Sequence, residues 1–326
     1  MLKRLVAAAL LATAAPMAQA ADLPVWRHGI IQPKSDAGFS LMPADPRFAG
    51  PQGIEIRITP VQSDQVGLKA MLAGELDSFE GAPNSAIVAA AHGGDVKVIG
   101  CAWPQLVHGI FVRDDIHALA DLKGKNFAIS APGSMPDFLI RAALKQAGLG
   151  VGDLHLASLG SDTDRFKALS AGVVSGAVIS SEYLPIAPPG VRQLVSAREL
   201  MPEFLRGCAM TTGATLSRRR DDAVRFMAAE MAGLRHAVDD KADEVAATVK
   251  ATRIDPADPR PGFLFDEAVR LHQVDATMPL PADKMAWLGN LLLTTGILRA
   301  PVDTAALLDP TIRADAAKRL DGSAGG

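Results

Sequence analysis

The sequence predicts an α/β fold built as two similar lobes, each with a mainly parallel sheet. Three observations carry this. Strand-like and helix-like segments alternate through the first two thirds of the chain. A strand–helix–strand unit recurs once, about one domain length apart. The last third reads as helices, suited to packing onto one lobe. With 326 residues, 48% of them hydrophobic and 21% charged, the chain is long enough for about two domains with a sizeable core.

The chain opens with "MLKRLVAAALLATAAPMAQA". Lys3 and Arg4 precede a short apolar run that ends in the small-x-small triplet Ala18-Gln19-Ala20. This is the pattern of a secretory signal peptide over residues 1–20, too short to span a bilayer. Removing it leaves 306 residues and changes the formal charge from −3 to −5. An acidic chain disfavours a nucleic-acid partner, which would need a basic face. Two cysteines, Cys101 and Cys208, fit either two buried thiols or a disulfide permitted by an oxidising compartment. The seven histidines show no metal-ligand spacing with each other or with cysteine, so no metal or other cofactor is expected.

The repeat lies in "SDQVGLKAMLAG" (63–74) and "SDTDRFKALSAG" (161–172). The offset is 98, and six of the twelve positions are identical. Each copy follows an apolar stretch, "IEIRITPV" or "LHLASL", and each runs into another, "ELDSFEGA" or "VVSGAVISS". The shared unit is a strand, a Ser-Asp cap, a short helix, a glycine stop and a strand. Further strands are expected at "VKVIGC" (96–101), "GIFV" (109–112), "NFAIS" (126–130) and "AMTTGATLS" (209–217). Helices are expected over 138–147, over 221–252 with a break near 239–241, and over 266–273 and 284–294. "DPADPRPG" (255–262) reads as a rigid loop and "DGSAGG" (321–326) as a frayed tail.

"SAPGSMPDFLIRAALKQAG" (130–148) begins without bulk or charge and then becomes helical. Ser134 or Asp137 can cap that helix, with Pro136 in its first turn. Its free backbone N–H groups and positive dipole end can equally hold a polar ligand. No nucleophile elbow, zinc helix, Walker loop or dinucleotide fingerprint is present. "DLKGKN" and "GLGVGD" read as turns. "RRRDD" (218–222) is either a solvated face or a docking patch.

Three segments carry a family resemblance: "LKAMLAGELD" (68–77), "VRDDIHALADLKGKNFAISAPGSMPDFLIRAALKQAGL" (112–149) and "RFKALSAGVVSGAVISSEYLP" (165–185). The chain resembles periplasmic solute-binding proteins of ABC importers. The group concerned is the nitrate/sulfonate/taurine type, which also includes binders of thiamine pyrimidine precursors. The Pro-rich first loop, "FSLMPADPRFAGPQGI" (39–54), departs from that pattern.

The resemblance implies the type II two-lobed binding-protein fold, with lobe one formed by residues 21–107 and 209–326 and lobe two by 108–208. It also places the strand at Cys208 beside the strand at Cys101, which favours the disulfide. Ligand contacts are then expected from Gly133, Ser134 and Met135, and from Gln32 and Asn84 at strand ends of lobe one. Trp103 and His108 flank the first crossing. Phe39 is either a stacking wall or core. Tyr183 either closes over ligand or fills the lobe interface, and Glu182 binds a ligand donor or makes a structural hydrogen bond. The expected cleft loops carry no Arg, which disfavours a small dianion. A sulfonate, a carboxylate or a small heterocycle remains.

The implied role is a monomeric periplasmic protein that captures a small molecule and delivers it to an ABC permease by hinge closure. One branch of the resembling family makes a thiamine pyrimidine with a Cys-rich motif and a histidine. This chain lacks that motif, so no catalytic residue is assigned. An enzyme on the same fold and a periplasmic sensor are the alternatives.

Overall fold

A computed structural model describes residues 23–323; the expected signal peptide and the last three residues of the tail lie outside them. β1 (Val25–Ile31) pairs in parallel with β2 (Glu55–Val61). Between them the Pro-rich loop forms a chain of short helical turns that includes α1 (Ala37–Leu41) and α2 (Pro46–Ala49). Pro43, Pro46 and Pro51 each sit in the first turn of a new piece, where a missing N–H costs nothing. No single long entry helix forms, because each proline would break it.

α3 (Asp64–Leu72) is capped by the Ser63 hydroxyl and stops at Gly74, where φ is +77°. β3 (Ser78–Gly81), α4 (Asn84–Ala91) and β4 (Lys97–Trp103) follow. The chain then enters a second sheet with β5 (His108–Arg113) and β6 (Asn126–Ile129). α5 (Met135–Gln146), β7 (His155–Ser158), α6 (Asp162–Ser170) and β8 (Gly176–Ser180) repeat the earlier alternation. β9 (Val191–Ser196) and α7 (Ala197–Leu200) precede the return. β10 (Gly207–Thr211) rejoins the first sheet, followed by α8 (Gly213–Asp239), α9 (Lys241–Thr252), α10 (Arg260–Arg270), α11 (Ala282–Thr294) and α12 (Pro310–Ser323).

The two sheets have the same plan, β2-β1-β3-β10-β4 and β7-β6-β8-β5-β9. Each is mixed. β10 and β5, the strands at the crossings, run antiparallel to both neighbours. The repeat therefore maps onto equivalent units, β2–α3–β3 and β7–α6–β8. Asp64 accepts a hydrogen bond from the Ala82 N–H at 3.0 Å and Asp162 from the Ser180 N–H at 3.2 Å. Both donors and both acceptors keep the 98-residue offset.

Several boundaries differ from expectation. The strand expected over 209–217 ends at Thr211, because the Thr212 side chain accepts from the Thr215 N–H and starts α8. The expected break near 239–241 falls at Asp240, whose carboxylate accepts from the Asp243 N–H. α12 had no expected counterpart, and it carries Asp321, Gly322 and Ser323 of the supposed tail. The 218–222 charge cluster sits at a kink at Arg219; Arg218, Arg220 and Asp221 are exposed to solvent, and Arg219 and Arg220 pair within the chain. Arg219 pairs with Asp77 (2.9 Å) and Asp222 (3.0 Å), and Arg220 with Asp315 (2.8 Å). α8 docks through Phe226, stacked on Trp26 at 5.3 Å. Cys101 of β4 and Cys208 of β10 form a disulfide across neighbouring strands.

Candidate ligand-binding cleft

Open α/β sheets present their ligand crevice beyond the C-terminal ends of the strands. Here the loops after β1, β2 and β3 of one sheet and after β6 and β7 of the other line a common cleft of about 1160 Å³. It continues into an inner cavity of about 200 Å³. Gln32, Lys34, Asp64 and Met135 line both. Trp103, Leu106, Phe204 and Arg206 surround the inner cavity.

The loop before α5 is both a structural turn and a cleft wall. Gly133, at φ +74°, donates its N–H to Asp137 at 2.8 Å, and Asp137 also pairs with Arg141 at 2.8 Å. Ser134 holds the N-cap position without capping. Its hydroxyl donates to the Ala131 carbonyl (2.6 Å) and accepts from Ser130 (2.8 Å). Gly133, Ser134 and Met135 all line the cleft.

Charge is concentrated where the lobes meet. Lys34 of the β1–α1 loop contacts Asp162 of α6 at 2.8 Å. Asp162 also receives Arg165 at 2.5 Å, and these cations hold its carboxyl well below the usual range despite burial. Arg165 donates further to the carbonyls of Val178 and Gly160. Arg206 pairs with Asp36 and lies over the Trp103 ring at 4.1 Å from its centroid. Burial pushes the Glu80 carboxyl up to about 7 and raises Asp64, while the buried His108 ring falls to about 3. Further contacts tie the lobes. The Ser35 N–H donates to Glu182 at 3.3 Å, and Ser181 donates to Glu267 of α10.

Of the expected contact residues, Gln32, Asn84, His108, Gly133, Ser134 and Met135 line the larger cleft, and Trp103 the inner cavity. Asn84 begins α4 without capping it. Phe39 is not on either wall. It is fully buried, edge-on to Trp103 and stacked on Phe265 at 5.7 Å, so it is core. Tyr183 also turns away. Its hydroxyl bonds Thr163 at 2.7 Å and its ring packs on Phe166 under Arg260, filling the lobe interface. Glu182 is buried in its bond to Ser35 and lines neither space. The cleft nonetheless holds Arg165 and Arg206, which a reading of the strand-end loops does not reach. Arg206 comes from the return crossing and Arg165 from the second turn of α6, neither in a strand-end loop. Lys34, Glu80 and Arg206 carried no sequence signal. Asp64 and Asp162 did, as identical positions of the repeat, although they read as caps. Among the described residues, no His/Cys/Asp/Glu group suits a metal ion, and no helix is long and apolar enough to cross a membrane.

Two sheets of one plan, joined by two crossings and enclosing a cleft at their strand ends, define the two-lobed periplasmic-binding-protein fold. The family model described as NMT1/THI5 like matches residues 50–243, and the chain belongs to that family. Comparison with curated proteins gives no match. Solved structures share the fold at low identity. A putative periplasmic sulfonate-binding protein, SsuA, of an ABC transporter from Methylobacillus flagellatus KT has a TM-score of 0.73 at 16% identity, over 92% of this chain and 96% of that one. The aliphatic sulphonate binding protein SsuA from Escherichia coli has 0.71 at 20%, over 87% and 97%. The desulfurization enzyme DSZB has 0.66 at 17%, over 91% and 99%.

Proposed function

We propose that this protein is the periplasmic substrate-binding component of an ABC importer, exported by its signal peptide and active as a monomer. It captures one small organic molecule (a sulfonate, a carboxylate or a small heterocycle) and delivers it to a membrane permease. The observation that carries this reading is the cleft itself, walled by strand ends of both sheets and bridged by Lys34 and Asp162. Contacts from both lobes make the closed arrangement the one a ligand stabilises. The binding-protein neighbours support the role, and the family match is compatible with it.

The DSZB likeness keeps an enzyme on this fold as the second reading. Against it, both cysteines are bonded to each other, which leaves no thiol nucleophile. A thermal-shift screen of the refolded full chain tests the proposal, with alkylsulfonates, taurine, aromatic carboxylates, pyrimidines and flavins. A ligand at a thousandfold excess over its Kd adds about 4 kcal/mol, or roughly several degrees at this size. A shift confined to one chemical class is expected. Turnover of the compound that shifts the melt would replace this reading with the enzymatic one, and a panel without any shift would remove its support.

A further inference from the structure

The groups that the cleft leaves unmatched narrow the ligand class; this inference rests on the binding-protein reading above. Its walls carry the carboxylates of Asp36, Asp64, Glu80 and Asp162 against the cations of Lys34, Lys69, Arg165 and Arg206; Lys69 is exposed and lines only the larger cleft. Lys69 apart, the cations are already engaged. Lys34 and Arg165 share Asp162, and Arg206 is paired with Asp36. Glu80 and Asp64 form no ion pair among the described residues. Asp64 accepts from the Ala82 N–H, and Glu80 accepts only the Ser40 hydroxyl, at 3.4 Å.

Neutral acceptors are also unused. Asn84 Oδ1 and His108 Nδ1 are buried atoms without a hydrogen-bond partner among the described residues, and both residues line the cleft. His108 Nε2 lies 3.8 Å from the Asp162 carboxylate, which favours the ring proton on Nε2 and leaves Nδ1 as a lone-pair acceptor. On the donor side the one buried side-chain atom in the same condition on these walls is Arg206 Nη1. A ligand that donates therefore satisfies more of this surface than one that accepts, and buried acceptors left unmatched are costly.

We propose that the cleft selects a small ligand with a cationic nitrogen head group rich in N–H donors, seated against Glu80 and Asp64, with its apolar body against Trp103, Leu106 and Phe204. Primary ammonium, amidinium and protonated amino-heterocycles share this chemistry. At Glu80 and Asp64 an anionic head would meet two acidic groups without an ion-pair partner among the described residues, and the one unpartnered buried side-chain donor on these walls is Arg206 Nη1. The protonation of the site agrees. Burial raises both Glu80 and Asp64, Arg206 opposes the rise at Glu80, and Asp36 adds to it. Glu80 in turn raises the buried Glu230, and Lys34 opposes the rise at Asp64. A bound cation takes the place of the proton, so binding near pH 7 releases protons.

Calorimetric titration of the refolded full chain with benzylamine, benzamidine, phenylmethanesulfonate and phenylacetate tests this. The two nitrogen bases should bind at least tenfold tighter than the two anions, with proton release read from the dependence of the heat on buffer ionisation. Glu80→Gln should weaken the bases at least tenfold. Should Glu80→Gln shift the ligand-free melt by more than a few degrees, Asp64→Asn carries the same expectation. Tighter binding of the anions overturns the inference and leaves the binding-protein reading intact. Silence from all four probes also overturns it, because these carboxylates would then not hold even the minimal head group; the wider panel above judges the binding-protein reading separately.

Discussion

Lys34 and Asp162 form a 2.8 Å ion pair between the first loop of one lobe and the start of α6 in the other. The partners are unequal. Asp162 is buried and also holds the buried Arg165, whereas the Lys34 side chain is 44% exposed. Removing the acid therefore strands a buried guanidinium, and removing the lysine does not.

Asp162→Ala should cost about 3–5 kcal/mol, as expected when one partner of a buried pair is lost. Lys34→Met should cost about 1 kcal/mol or less in stability but loosen the lobes. Urea denaturation reads the first effect, and small-angle scattering reads the second as a larger radius of gyration for the ligand-free variant. Equal destabilisation by the two substitutions would contradict the asymmetry.

Glu244 should make stability fall as pH rises from about 5 to 8. Burial pushes the Glu244 carboxyl up to about 8, with one oxygen bonded to Thr248 at 3.0 Å and the other without a partner among the described residues. The native state keeps this proton while the unfolded chain, near the ordinary value of 4.5, releases it. The loss is up to about 1.4 kcal/mol per pH unit for one such group. Glu244→Gln should flatten the slope and raise stability at pH 8. A variant that keeps the wild-type slope in urea melts at pH 5 and pH 8 would rule Glu244 out. Asp162 has the opposite sign. Its stabilisation is complete above the ordinary carboxylate range and is lost only as pH falls below it.

Thiol titration of the denatured, unreduced protein should find no free cysteine, given the Cys101–Cys208 bond. Replacing both with Ser should cost about 2–5 kcal/mol, since the bond closes a loop of more than a hundred residues in the unfolded chain. Two titratable thiols in protein folded under oxidising conditions would refute the pairing.

Gly233→Ala should destabilise by about 1–3 kcal/mol. A Cβ at Gly233 of α8 would stand 2.5 Å from backbone atoms of Pro43, and a backbone held by prolines yields poorly. Gly262→Ala, whose nearest neighbour would be the end of the Lys241 side chain at 3.7 Å, serves as the control and should change little. Comparable melts for the two variants would show that the first loop gives way.

The local grammar was legible. Ser63 and Ser161 read as caps and Gly74 and Gly172 as stops, and all four play those parts. The break between α8 and α9 was legible too, because Asp240 acts on its own neighbours. Where expectation slipped, local competition decided it. Thr212 could extend a strand or cap a helix, and its hydroxyl bond to Thr215 settled the matter. At the cleft, the residues read from strand ends (Gln32, Asn84, Ser134) do reach its walls, because a strand end and a helix start fix position within a few residues.

By itself the sequence determined the duplicated plan. The identical Asp64 and Asp162 make the same bond to the backbone 18 residues onward, at Ala82 and Ser180. Cap, stop and periodicity act over a few residues, so they can be read in one dimension. Only the tertiary structure decided that Phe39 and Tyr183 face inward, that Arg206 meets Asp36 across 170 positions, and that Glu80 is left without a cation. Burial periodicity states which face of an element turns inward. It does not state which distant side chain will be there to meet it, and the charge balance of the cleft is made of such meetings.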